Sequence, residues 1–392
     1  MIALRLILIT LSLYACAKQS EPETPLSNQW DLNSITTTEY NTEPQNVDVE
    51  IVLEKDIVIG GNEKGDEWQL FGYPPYPMIG PDNRIYLIDN MRCEIYIVSP
   101  EGNLENRLGG KGSGPGEFRG INRMYWAERG KEFWVDDIEL RRMSRYTANG
   151  ELIDTFSLPN ERGYRWRKLR VVTRDRSIVE RSSTHPNNTS TLLQFGLLNH
   201  KLLIDKIIIE YQLETHYLTD SGPRIQLPFR NNPFIVLYNE RQFIIAEPHT
   251  ANLLMCDILG QPYLRIKVPW ISPHITHNEI KQWKDRLSVQ ISRGVLDEIP
   301  LPKTKPVFTN VIVDDKGQIW VYTSLRNPKT DHEDSSSRQV DILSGDGKLL
   351  YTQYMPIFPF IVQGDYAYHI PLGFDEIPRM ERYYIRKREL SK

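Results

Sequence analysis

Cysteine is scarce in this chain: among 392 residues there are only Cys16, Cys93 and Cys256. Cys93 and Cys256 sit in apolar, strand-like stretches, which makes them buried thiols rather than parts of a disulfide framework. Charge of one sign is also missing. The 47 Lys and Arg and the 51 Asp and Glu are spread along the chain and leave a net charge of −4, so there is no basic field for a nucleic-acid backbone. Long apolar runs are missing too. The apolar stretch at residues 6–13, LILITLSL, is far too short to cross a bilayer as a helix. The sequence also lacks a Ser-His-Asp signature, a Rossmann glycine motif and a phosphate loop, so none of the chemistries read from those motifs is indicated.

At the N-terminus, Arg5 precedes that short apolar run, which ends in Leu13-Tyr14-Ala15-Cys16. The segment reads as a signal peptide, and its end resembles a bacterial lipobox, which implies acylation of Cys16 and a membrane anchor of two or three chains. Residues 17–46 are dominated by polar residues and proline, cannot offset their own ordering entropy, and are expected to form a tether. Lys18 offers no inner-membrane retention signal. By similarity to lipoprotein sorting, the expected location is the cell envelope, lipid-anchored at the outer membrane and facing the periplasm or the cell surface.

From residue 47 onward the chain is organised by a repeat. RIYLID (residues 84–89), EFWVDD (132–137), FIIAEP (243–248) and QIWVYT (318–323) are each followed by a second strand pattern and a turn ending in Gly102, Gly150, Gly260 or Gly347. Ile85 to Gly102, Phe133 to Gly150 and Phe243 to Gly260 share a spacing of 17 residues; Ile319 to Gly347 is 28, the excess matching the polar tract NPKTDHEDSSS. Further copies centre on Ile178 and Tyr366. A four-stranded antiparallel sheet with two apolar faces cannot stand alone, whereas radial stacking buries both. The expected fold is therefore all-β, a six-bladed propeller of four-stranded antiparallel blades over residues 47–390. The repeated patterns are read as its inner strands, with a large excursion within blade three at residues 181–200. One helical insertion is expected near residues 271–289, where Thr276 and Glu279 can form a capping box and Ile280, Trp283 and Leu287 share a face. The last blade shows only three strand patterns, so residues 47–59 are expected to supply its outer strand and close the ring.

The motif LGGKGSGPGEFRGINRM, residues 108–124, resembles the NHL-repeat signature, with a weaker copy at residues 60–78; Phe118 and Phe71 are placed to fill gaps between blades. The whole mature chain is similar to six-bladed propeller lipoproteins of Bacteroidetes and related bacteria, on the evidence of PVFTNVIVDDKGQIWV at residues 306–321. That resemblance implies the fold more strongly than an activity.

Candidate site residues follow the strand patterns. Asp89, Asp136, Asp137, Glu247, His249, Arg326 and His369 all stand at or just beyond corresponding strand ends and are expected to converge at one mouth of the propeller. The expected role is non-catalytic: a ligand-binding or protein-interaction scaffold for a small molecule, glycan, peptide or envelope protein, with nucleic acid excluded. Some NHL-type propellers are lyases holding zinc and calcium, which makes a metal-dependent lyase or hydrolase one alternative and a carbohydrate-binding or sensing component another. His249 and His369 alone follow strand patterns closely enough to face a channel, fewer than the three or four ligands zinc requires. No catalytic residue is assigned, and Ca or Zn is the only cofactor weighed. The recurring aromatics Tyr73, Tyr76, Tyr86, Trp126, Trp134, Trp166, Trp320, Tyr322 and Tyr368 are read first as inter-blade packing.

Overall fold

The computed structural model describes residues 30–31, 33–61, 66–127, 130–158, 165–171, 176–184, 190–219, 224–326, 337–371 and 377–390. Two strands come first, β1 (Thr36–Glu39) and β2 (Val49–Gly60). Blade one is β3 (Tyr76–Ile79), β4 (Ile85–Asp89), β5 (Glu94–Val98) and β6 (Leu104–Gly109). Blade two is β7 (Ile121–Ala127), β8 (Glu132–Asp137), β9 (Arg142–Thr147) and β10 (Leu152–Ser157). Blade three is β11 (Arg165–Val171), β12 (Ser177–Thr184), β13 (Ser190–Leu198) and β14 (Ile204–Glu214), followed by a separate hairpin, β15 (His216–Leu218) and β16 (Arg224–Gln226). Blade four is β17 (Phe234–Asn239), β18 (Gln242–Glu247), β19 (Asn252–Asp257) and β20 (Pro262–Lys267). Helices α1 (His277–Leu287) and α2 (Arg293–Glu298) lead to blade five, which is β21 (Phe308–Val313), β22 (Ile319–Arg326), β23 (Arg338–Leu343) and β24 (Leu349–Met355). Blade six is β25 (Ile361–Gln363), β26 (Tyr366–His369) and β27 (Arg379–Glu389), with β2 added outside β27. The architecture is thus the expected all-β six-bladed propeller with a short helical insertion.

The predicted turn glycines Gly102, Gly150, Gly260 and Gly347 all take positive φ, the conformation that returns the third strand of a blade into the fourth. Apolar residues of successive blades then meet. Tyr86, Phe118, Phe133 and Tyr146 fill the gap between blades one and two, and Phe71, Tyr96, Tyr368 and Met380 that between blades six and one. Phe118 and Phe71 occupy matching positions, as expected. Each lies against a glycine that ends an outer strand: a side chain at Gly109 (φ +94°) would meet the Cys93 carbonyl at 2.7 Å and the Phe118 ring at 2.8 Å, and one at Gly60 (φ +87°) would meet the Pro378 carbonyl and the Phe71 ring at the same distances.

Ring closure follows the expected route. β2 runs antiparallel to β27 from Val49 opposite Glu389 to Gly60 opposite Arg379. A bulge between Lys55 and Ile57 frees Asp56 to meet Arg382 at 2.6 Å, while the Arg382 guanidinium also donates to the Pro100 carbonyl of blade one and lies over the Tyr366 ring. Burial pushes the neighbouring Glu381 carboxyl up, but hydrogen bonds from Tyr383, Lys55 and Arg379 hold it at about 2.

Several expectations need correction. The repeated patterns taken as inner strands are the second strand of each blade; the strands nearest the axis are the preceding ones, β3, β7, β11, β17, β21 and β25, which line the central cavity. Blade three holds no large excursion, because Ser190–Leu198 is its third strand; the extra length is the β15–β16 hairpin between blades three and four. Residues 327–336, within the polar tract, lie outside the described residues. The expected tether ends before Thr36, because β1 lies parallel against β20 with Thr36 opposite Leu264. Tyr40 then donates to the buried Asp341 carboxylate at 2.9 Å, Trp270 donates to the same oxygen at 2.5 Å, and the Gln45 and Asn46 amides donate to β24. Polar composition missed this segment because its hold comes from strand pairing and one buried aromatic rather than from an apolar run.

The helical insertion is confirmed with narrower bounds. Thr276 and Glu279 form the capping box, and Trp283 is buried. The second helix, α2, was not expected; at six residues it is too short for a periodic signal. Both helices pack on the β15–β16 hairpin through Ile225, Leu227, Trp283, Leu296 and Ile299, a small core separate from the blades.

Arg382→Ala removes the ion pair, the carbonyl contact and the ring contact that tie blade six to β2 and blade one. Asp56 keeps its contact with water, so the cost is that of the lost contacts rather than of a stranded charge, about 1–2 kcal/mol, and urea unfolding is expected to shift to a lower midpoint with an unchanged slope. A variant as stable as the parent would place ring closure on other contacts.

Candidate functional site

The six axial strands enclose a cavity of about 1330 Å³, to which every blade contributes. Met78, Met124, Val236 and Ile312 make much of its wall apolar, whereas the residues that open the axial strands are mostly polar: Tyr76, Asn122, Arg123, Asn231, Asn232, Thr309 and Asn310, with Phe360 before β25. These lie at one mouth, the end of the ring where the chain arrives from each preceding blade.

Local backbone irregularity shapes this mouth. β7 bulges between Ile121 and Arg123, which sit opposite Asp137 and Asp136. The extra residue, Asn122, donates its side-chain amide to Asp136 Oδ2 at 2.7 Å. β11 repeats the irregularity between Trp166 and Lys168, with Lys168 opposite Glu180. Blades two and three therefore each set a basic residue on the axial strand opposite an acidic one on the second strand, and Asp136 and Glu180 are both buried while lining the cavity. Asp136 is only 6% exposed, and its Oδ1 has no hydrogen-bond partner among the described residues. Burial pushes its carboxyl above the ordinary value; Asn122 opposes this, the neighbouring Asp137 adds to it and Arg123 opposes it. A buried acceptor without a donor costs about 1–3 kcal/mol, so this oxygen is a place where a ligand's donor would be gained at full value.

Around the rest of the mouth the chemistry changes. The Arg123 guanidinium lies 4.8 Å from the Tyr76 ring centroid and donates to the Tyr76 hydroxyl, and Tyr76 meets Phe360 edge-on at 6.5 Å. On the side of blades four and five, Asn231 donates through Nδ2 to the Thr309 carbonyl at 3.0 Å.

Of the seven residues expected to converge, six have side chains among the described residues, and of these six only Asp136 lines the cavity. Asp89 Oδ1 accepts from the Met91 and Arg92 amides, and its Oδ2 from the Arg92 side chain at 2.7 Å. Asp137 accepts from the amides of Arg119, Glu139 and Leu140. Glu247 accepts from Tyr211, Thr250 and Asn252. Each of these three opens a turn whose fifth residue, Cys93, Arg141 or Ala251, takes positive φ. Their shared sequence position reflects a shared turn, in which the carboxylate satisfies backbone or side-chain donors. His249 Nε2 accepts from the Asn231 amide at 3.3 Å, and His369 Nδ1 contacts the Phe358 carbonyl at 3.0 Å. Arg326 ends β22, and its side chain and Cys16 lie outside the described residues. Sequence reasoning missed Asn122, Arg123, Glu180, Asn231, Asn232 and Asn310. The available signal was the polar run FRNNPF ahead of β17, which opens an axial strand rather than a loop. The recurring aromatics divide as well: Tyr86, Trp134, Trp320, Tyr322 and Tyr368 are buried, Tyr76 and Trp126 line the cavity, and Tyr73 is exposed. The Trp166 side chain lies outside the described residues. Among the described residues no group of three or more His, Cys, Asp or Glu is placed to hold a metal ion.

Burial, with a smaller contribution from Arg230, holds the His249 imidazole at about 4, below its ordinary 6.5. The unfolded chain therefore binds the extra proton first. Stability associated with neutral His249 is complete above about pH 6.5 and is lost as pH falls through 4. His249→Gln, which keeps an acceptor for Asn231, is expected to flatten the decline of melting temperature between pH 6.5 and 4. Parallel pH profiles for the two proteins would contradict this.

Comparison with known proteins supports the architecture. A family model described as DUF5128, 6-bladed beta-propeller, matches residues 79–172. A member of the DUF4221 family from Bacteroides vulgatus superposes with a TM-score of 0.51 at 11% identity, over 87% of this chain and 99% of that one. A protein described as exported, from Bacteroides fragilis, gives a TM-score of 0.44 at 10% identity over 91% and 100% of the two chains. Virginiamycin B lyase from Staphylococcus aureus gives 0.38 at 11% identity over 86% and 99%. No curated protein matches the chain. The matched family model is that of a six-bladed β-propeller, and at 11% identity the superposition on the Bacteroides vulgatus protein speaks to fold alone.

Proposed function

We propose that the protein is a binding module of the cell envelope that takes a small ligand at the polar mouth of its central channel without transforming it. The observation that carries this reading is the buried, half-satisfied Asp136 carboxylate facing a cavity built from all six blades. The blades hold the mouth in place before a ligand arrives, so little ordering cost falls on binding. Ile312→Trp, which puts an indole into the channel wall, tests it. A panel of sugars, amino acids, short peptides and nucleosides is screened by thermal shift against the parent and the variant, with circular dichroism confirming the fold of both. A compound that stabilises the parent and not the variant is expected. Equal responses in both proteins, or none in the parent, would overturn the channel reading.

The envelope location rests on the sequence of residues 1–16, where Cys16 follows the short apolar run. In this reading a covalent anchor at Cys16 is the means of attachment; no helix among the described residues is long and apolar enough to cross a membrane. Cys16→Ser is expected to abolish incorporation of labelled palmitate and to release the protein from the membrane fraction. Undiminished labelling would remove the anchor from this proposal.

A further inference from the structure

Resting on the channel reading above, we infer that the ligand is a neutral, polyhydroxylated molecule, a saccharide rather than an ion or a charged peptide. The distribution of groups around the mouth carries the inference. Among the described residues, the charge lining the cavity lies on blades two and three and carries both signs, Arg123 and Arg141 with Asp136 and Glu180. Arg123 is further engaged by the Tyr76 ring and hydroxyl. A multiply charged ligand entering here would give up hydration beside groups of both signs, and that desolvation is costly.

Among the described residues, those that line the cavity from blades four, five, six and one are uncharged and chemically distinct. Blades four and five present the half-buried amides Asn231, Asn232 and Asn310, each combining a donor and an acceptor on one planar group. Blades six and one present the Phe360 and Tyr76 rings. A hydroxyl also donates and accepts, so a ring bearing several of them can satisfy Asp136 Oδ1 with a proton while accepting from amide Nδ2 groups across the mouth. Its C–H face is apolar and suits the aromatic side and the Met78 and Met124 wall below. An amine would satisfy Asp136 but has nothing to offer the amide nitrogens; a carboxylate or phosphate would meet the unpartnered Asp136 oxygen as a repulsive neighbour. A cavity of about 1330 Å³ accommodates a short oligosaccharide rather than a single sugar ring.

Saturation-transfer NMR on the soluble chain tests this with two matched sets of probes. The neutral set is cellotriose, maltotriose, laminaritriose and chitotriose; the charged set is trigalacturonate, the de-acetylated glucosamine trimer and trilysine. Transfer to at least one neutral trisaccharide is expected, with the charged probes at least tenfold weaker. Asp136→Asn, which keeps shape but replaces the unpartnered acceptor, is expected to weaken that sugar at least tenfold, and Asn310→Ala several-fold, with unchanged melting curves. A charged probe binding as tightly as its neutral counterpart would overturn the saccharide assignment. So would the absence of neutral binding alongside an Ile312→Trp-sensitive ligand of another class, in which case the channel reading stands. If no ligand of any class is sensitive to Ile312→Trp, both fall together.

Discussion

A propeller blade has two apolar faces and no partner of its own, so every blade depends on the next being present and on the ring having no gap. Here that dependence converges on the pairing of β2 with β27, where the two ends of the chain meet over eleven pairs of residues. The pairing is more than a strand ladder. The bulge at Asp56 admits Arg382, whose guanidinium reaches into blade one, and Glu381 gathers Lys55, Arg379 and Tyr383 about one carboxylate. These contacts hold the seam where a linear array of sheets would open.

The N-terminal segment extends the same logic outward. Before it becomes the outer strand of blade six, the chain pairs with the edge of blade four, sets Tyr40 against Asp341 in blade five and donates two amides to β24. It thus spans blades four to six along their outer edges and covers part of the exposed ladder that an outer strand otherwise presents. Asp341 is the fixed point of this wrap. Its carboxylate is fully buried, and burial raises its proton affinity, yet Trp270, Tyr40, Gln339 and Thr352 all donate to it.

A frame closed in this way can hold an asymmetric mouth on a nearly symmetric ring. The turns that begin with Asp89, Asp137 and Glu247 are copies of one another, and their acids serve the turn. The axial strands are where the blades diverge. Irregularities near the start of β7 and β11 set Arg123 opposite Asp136 and Lys168 opposite Glu180, while β17, whose register shifts only near its far end between Leu237 and Asn239, follows the polar Asn231 and Asn232. The residues that distinguish the mouth are those on which the repeat places no structural demand.

Much of the fold was legible in the sequence because it is written in short-range chemistry. The spacing from Phe133 to Gly150 repeats because a hairpin of fixed strand length needs a positive-φ residue at its end, and Thr276 with Glu279 marks a helix start because the capping box is local. The missing fourth strand of the last blade pointed to residues 47–59 by elimination. What the sequence could not decide was which strand of each blade lies at the axis. Radial position depends on how whole sheets stack, and an inner and a second strand look alike in hydropathy. That single displacement moved the expected site from the axial strands to the turns, and left Asp136 as the residue common to both. Only the tertiary structure could set it apart from Asp137 beside it, because adjacent strand residues point to opposite faces and the stacking of whole blades decides which face is turned toward the channel.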